Sequence, residues 1–166
     1  MTLKYLLIPF VLLASTGVSA SSKSATFGTW KFLEVTTPQG IHYCTISNAV
    51  TNKNIGQNIV INGESHRETA LHIDLYKDTW NRPQGAQANV MFDFVNNQPL
   101  TLPAYANAHI LDIELPKEYT AIFLLELSTQ PALQIMFPSG DEDTWIIETR
   151  GAKNAAQKLF HCLVHK

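Results

Sequence analysis

Apolar and polar residues alternate along much of this chain with the period of two that a β-strand requires, because successive strand side chains point to opposite faces. Residues 70–76 show it most cleanly: Leu71, Ile73 and Leu75 fall on one face, and His72, Asp74 and Tyr76 on the other. Residues 29–36 alternate more loosely but are rich in aromatic and β-branched side chains, which suit a pleated surface. Pro38-Gln39-Gly40 then turns the chain. Residues 41–46 return with His42, Cys44 and Ile46 opposite Ile41, Tyr43 and Thr45, so the two runs form a hairpin. Further strands are predicted over residues 90–95, 100–102, 109–114, 132–137 and 145–149, with a short one at 58–61 inside the Asn- and Gly-rich connection 48–65. Residues 21–25 read as a polar leader to the first strand, and Asn96-Asn97 as a tight turn. Pro99 and Pro103 mark an edge strand, because proline lacks a ladder donor.

The period changes in two places. Pro116 suits the first position of a helix and Glu118 its dipole, and Tyr119, Ile122, Phe123 and Glu126 then follow at helical spacing as far as Leu127. Residues 151–163 repeat the pattern, with Ala152, Ala155, Leu159 and Cys162 on one face. The fold expected is mainly β: an antiparallel β-sandwich with one or two short α-helices, one of them C-terminal.

Residues 1–20 follow neither pattern. Lys4, then an apolar run over residues 5–14, then Val18-Ser19-Ala20 have the three-part layout of a cleavable signal peptide. The run is about ten residues long, well short of the roughly twenty needed to span a bilayer. No cysteine follows the cleavage site for acylation. Residues 21–166 are therefore expected to be a single β-rich exported domain in the periplasm or secreted, with no stable membrane insertion after cleavage.

Charge narrows the partners. Twelve Lys and Arg stand against fourteen Asp and Glu, and no basic stripe forms. Nucleic-acid binding, which needs clustered positive charge to displace phosphate counterions, is excluded on that ground. The same shortage argues against anionic lipid.

Export also decides the reading of the two cysteines. Cys44 and Cys162 are an even pair in an oxidising compartment, which implies a disulfide joining the first hairpin to the last helix. Such a loop of 118 residues is assigned roughly 4 to 5 kcal/mol by the chain-entropy model. A zinc site using these cysteines with His42, His161 and His165 is the weaker reading, because the bridge consumes both thiolates. No metal or other cofactor is assigned.

The stretch Phe27-Gly-Thr-Trp30 followed by residues 40–47, with Cys44 in the second strand, resembles the opening of the invasion-associated locus B family. The end resembles it too: a strand feeds Gly151-Ala-Lys-Asn-Ala155, and the helix closes at Phe160-His-Cys162. The resemblance implies an exported, disulfide-bonded β-sandwich from a family linked to host-cell invasion or envelope function, with no settled enzymatic activity.

The remaining chemistry is diffuse. Asp141-Glu142-Asp143 lacks the spacing of a calcium loop and reads as a solvated hairpin tip. His66, among Glu64, Ser65, Arg67 and Glu68, reads as a polar loop, since no Gly-x-Ser-x-Gly elbow is present. Asp112 and Glu114 share a strand face as a candidate acid and base pair, more simply the wet side of a sheet. No catalytic residue is assigned. Trp30 and Trp145 are expected in the core. Trp80, with Tyr76 and Arg82, is the candidate binding surface, because aromatic anchors dominate interfaces. The function expected is that of a non-enzymatic exported binding protein of the bacterial cell envelope, with an unknown protein or envelope component as partner. A small periplasmic hydrolase whose site assembles only in the fold is the alternative.

Overall fold

The computed structural model describes residues 20–49, 56–65, 71–94 and 98–164. The expected signal peptide up to residue 19, the Asn96-Asn97 turn, His66 and its neighbours Arg67 and Glu68, and His165 lie outside the described residues. The strands are β1 (Ser21–Phe27), β2 (Trp30–Thr36), β3 (His42–Ala49), β4 (Gln57–Glu64), β5 (Leu71–Lys77), β6 (Gln87–Asp93), β7 (Leu100–Asn107), β8 (Ile110–Leu115), β9 (Ala132–Met136) and β10 (Trp145–Glu148). The helices are α1 (Lys117–Thr129) and α2 (Ala152–Val164). The chain is thus mainly β and antiparallel, with a C-terminal helix, as the alternation predicts.

Among the described residues, all ten strands belong to one sheet in the order β1-β2-β3-β4-β5-β8-β7-β6-β9-β10. β1 to β5 form a meander. β6 to β8 form a second one laid down in reverse, so that β8 joins β5 and β6 receives β9. Alternate side chains form one inward surface: Phe32, Ile46, Ile61, Ile73, Ile113, Ala104, Phe92, Ile135 and Ile147 are all buried and belong to one core cluster. Each large aliphatic or aromatic side chain so placed stabilises the fold by roughly 1.5 to 3 kcal/mol relative to exposure.

The ends of the sheet meet. Trp30 Nε1–H in β2 donates to the Glu148 carbonyl of β10 at 3.0 Å, and Asn48 Nδ2–H in β3 donates to the same oxygen at 2.8 Å. Two side chains therefore satisfy a carbonyl at the terminal strand, where a further strand would otherwise pair. Two glycines permit this approach. Gly28 and Gly151 have φ of 59° and 92°. A Cβ on Gly151 would lie 1.9 Å from the Phe27 carbonyl oxygen, and one on Gly28 2.5 Å from that of Arg150. α2 leaves this junction and packs across β1 to β4 and against α1, burying Ala152, Ala155, Leu159 and Cys162 on the face expected.

Four local expectations change. Residues 21–25 are part of β1, not a leader: an edge strand exposed along most of its length needs no apolar alternation, and Lys23 blunts it. The short strand at 58–61 is eight-residue β4, between β3 and β5. β7 is not an edge, since it lies between β6 and β8. Its proline is tolerated because the β8 ladder begins only at Tyr105, leaving Pro103 paired on one side, to Asn89. In α1 the inward face is rotated: Phe123, Leu124 and Leu127 are buried, whereas Tyr119 and Ile122 are 40% and 46% exposed. α1 is wedged between α2 and the Phe92 and Phe94 rings, which meet Phe123 edge to face at 5.5 and 5.3 Å.

Candidate binding site

Trp80, expected at the surface, is 7% exposed and part of the core. Its ring stacks on Trp145 at 5.4 Å and meets the edge of Phe137 at 6.1 Å. Its Nε1–H donates to Glu142 Oε2 at 2.8 Å. Glu142 also accepts from Lys77 Nζ at 2.7 and 2.8 Å and from Trp145 Nε1–H at 3.2 Å. The hairpin tip read as solvated therefore folds inward at its middle residue. Burial by itself would raise the Glu142 pKa, but the bonds from Lys77, Trp80 and Trp145 outweigh it and hold the carboxyl below its ordinary value. Arg82 lies 4.9 Å over the Trp80 ring and pairs with Asp141 at 2.7 Å. Tyr76 projects outward from β5, beside His109. These three residues do not form one exposed aromatic face; Trp80 and Arg82 clamp a loop.

The strand carboxylates gather on the outer face of the sheet. Asp74 and Asp112 are register partners across β5 and β8, as are His72 and Glu114. His72 Nδ1 lies 3.0 Å from Asp112 Oδ1, and Asn62 Nδ2–H donates to Asp74 Oδ2 at 2.9 Å. Burial, reinforced by the neighbouring Asp112, raises the Asp74 pKa against the opposing pull of Asn62 and His72. His72 and Asp112 are nearly half exposed, so the group sits on an open face.

Cys44 and Cys162 form the expected disulfide, with Cα atoms 6.1 Å apart. Beside it opens a cavity of about 410 Å³ lined by Lys23, Glu34, His42, Lys158 and His161. Glu34 Oε1 lies 3.1 Å from His42 Nδ1 and 3.3 Å from Lys23 Nζ. Burial opposes ionisation of Glu34, but these two partners prevail and lower its pKa. The histidines His42 and His161 do gather at the disulfide, as their spacing suggested. Both sulfurs are committed to the bridge, and among the described residues no group of three or more His, Cys, Asp or Glu side chains is placed to hold a metal ion.

An apolar opening between the two helices was not foreseen. It runs along the seam of α1 and α2 as two adjoining cavities of about 590 and 310 Å³ that share Ala121, Leu124 and Phe160. Leu125, Phe160 and Val164 stand 50 to 55% exposed along it. A third cavity of about 420 Å³ opens on the opposite flank of α1, against β6 and β7. The sequence signal for the seam was the four-residue spacing of Phe160 and Val164, on a stripe beside the buried one. It is masked because Leu159 and Leu163 blur the boundary between stripes. Among the described residues, no helix is long and apolar enough to cross a membrane.

No family model matches the chain, and no curated protein or solved structure is significantly similar to it.

Proposed function

We propose that this chain is a non-enzymatic exported protein of the bacterial cell envelope, periplasmic or secreted, that binds another protein through the α1–α2 seam. Export is supported by the leader pattern of residues 1–20 and by the Cys44–Cys162 bridge, which oxidising compartments favour. The observation that carries the binding reading is the exposure of Leu125, Phe160 and Val164 along one groove. Exposed apolar side chains that line a continuous groove between helices fit the docking of an amphipathic helix, whose anchors recur every three or four residues. The resemblance to the invasion-associated locus B family extends the proposal to a part in host-cell invasion.

A photo-crosslinking residue placed at Leu125 or Phe160 in intact cells should capture one protein that the same residue at Tyr43, on the outer sheet face, does not. Phe160→Ser should then weaken binding of that purified partner about tenfold or more, as loss of an interface anchor does. Equal capture from Tyr43, or undiminished affinity, would remove the groove from the proposal.

The alternative, a small hydrolase, is favoured by one observation: Asp74 holds its proton more tightly than an ordinary aspartate beside an ionisable Asp112. Turnover of ester, glycoside or peptide substrates that Asp74→Asn abolishes would establish it.

A further inference from the structure

We infer that the cavity between β6, β7 and α1 is a binding site for a small organic ammonium ion, held by the Glu126 carboxylate. It stands on different residues from the α1–α2 seam and goes beyond the docking of a protein there. The cavity measures about 420 Å³, within the range of sites that enclose small molecules. Its walls include Phe92, Phe94, Leu100, Tyr119, Ile122 and Phe123, and Glu126 lies among them.

Glu126 is 8% exposed, and its Oε2 is buried with no hydrogen-bond partner among the described residues. Four buried polar atoms lack a partner among the described residues, Asn48 Oδ1, Asn58 Oδ1, Arg82 Nε and Glu126 Oε2, and only the last belongs to a carboxyl group and to a residue that lines this cavity. A carboxylate oxygen withdrawn from water without a donor is costly, so a fold that keeps one beside a cavity is completed by whatever supplies the donor. Among the described residues no Lys, Arg or His lines this cavity, and the Gln98 side chain that does leaves Oε2 without a partner.

The walls select the kind of donor. Aromatic ring faces attract cations, and four of the eight residues that line the cavity beside Glu126 are aromatic. An ammonium group brings both the N–H bonds and the positive charge that Glu126 lacks, and an alkyl stem on that ammonium covers Leu100 and Ile122. An anion is repelled by the same carboxylate, and a neutral apolar molecule leaves Oε2 as it was. One carboxylate among aromatic rings offers too few oxygen ligands for calcium or magnesium.

Isothermal titration of the purified, disulfide-bonded protein with hexylammonium chloride tests this, with hexanol and sodium hexanoate as probes of matched length. Hexylammonium should bind at least about tenfold more tightly than either, and Glu126→Gln should erase that advantage, as expected for losing a charge-assisted bond. Ile122→Lys replaces an exposed residue at the cavity rim, so folding is retained. Its tethered ammonium should block hexylammonium and raise the unfolding midpoint. Equal binding of hexanol and hexylammonium, affinity unchanged in Glu126→Gln, no binding at all, or an Ile122→Lys variant that still takes the probe would each overturn the inference. None of these outcomes alters capture of a protein from Leu125, so the two proposals fail separately.

Discussion

Glu142 shows how much one side chain can organise. Three donors from three places in the chain, Lys77, Trp80 and Trp145, converge on its carboxylate, whose side chain is only 6% exposed. Glu142→Gln keeps the shape but leaves the Lys77 ammonium, 22% exposed, without its counter-charge; urea unfolding should show a loss of about 2 kcal/mol. The same carboxylate sets a pH response. Glu142, Asp141 and Glu34 all have lowered pKa values when folded. Their contribution is complete above the ordinary carboxylate range and drains away as pH falls through the depressed folded values. Stability measured from pH 7 downward should therefore fall, and fall less steeply in Glu142→Gln. Asp74 acts in the opposite sense: its raised pKa means the folded chain holds that proton to higher pH, so its contribution is lost as pH rises. Asp74→Asn should accordingly unfold at higher urea than the parent at pH 7. None of the Glu142 network was legible in the sequence, because Lys77 and Trp80 lie 65 and 62 residues away from it. A turn composition of Asp-Glu-Asp points to solvent until those partners are placed.

At the level of elements, legibility followed the completeness of burial. β5 and α2 were readable because one face of each is buried along its length, so the period of two or 3.6 shows directly. β1 was not, because an edge strand with little to bury leaves no pattern. α1 was half readable: its position was visible, but its orientation was not. Three stripes of that helix meet different surroundings: Phe123 and Leu127 the core, Leu125 the seam, Tyr119 and Ile122 the Glu126 cavity. The junction between β10 and α2 yields a sharp prediction. Gly151 combines a left-handed φ of 92° with a Cβ site already occupied by the Phe27 carbonyl. Gly151→Ala should cost about 3 kcal/mol or more, read from thermal or urea unfolding, since the backbone of two elements must separate to admit a methyl. Gly40→Ala, with a similar φ of 82° but open space around it, is the control for dihedral strain alone. It should cost markedly less.

For the whole molecule, the two ends of the sheet are joined by side-chain hydrogen bonds and the Thr29 amide on the Arg150 carbonyl instead of a final ladder, and one covalent bond ties the last helix down. Trp30 and Asn48 hold the far strand by two hydrogen bonds, and the disulfide fastens α2 to β3. Replacing both cysteines by serine should lower stability by roughly 4 to 5 kcal/mol in the chain-entropy model, measured against the parent under identical non-reducing conditions. The mainly β class was legible from periodicity, and the cysteine pairing from there being only two cysteines in the chain. The closure was not, because it depends on which residues face each other across the sheet's two ends. The position of the bridge has a mechanical corollary. Tension applied outside Cys44 and Cys162, by a translocation motor or a processive protease, reaches the sulfur–sulfur bond after stripping β1, β2, the first two residues of β3 and the last turn of α2. Each residue stripped lengthens the chain by at most about 3.3 to 3.6 Å. The loop between the cysteines, which are 118 positions apart, is shielded from that pull, and a reductant becomes the gate to mechanical unfolding.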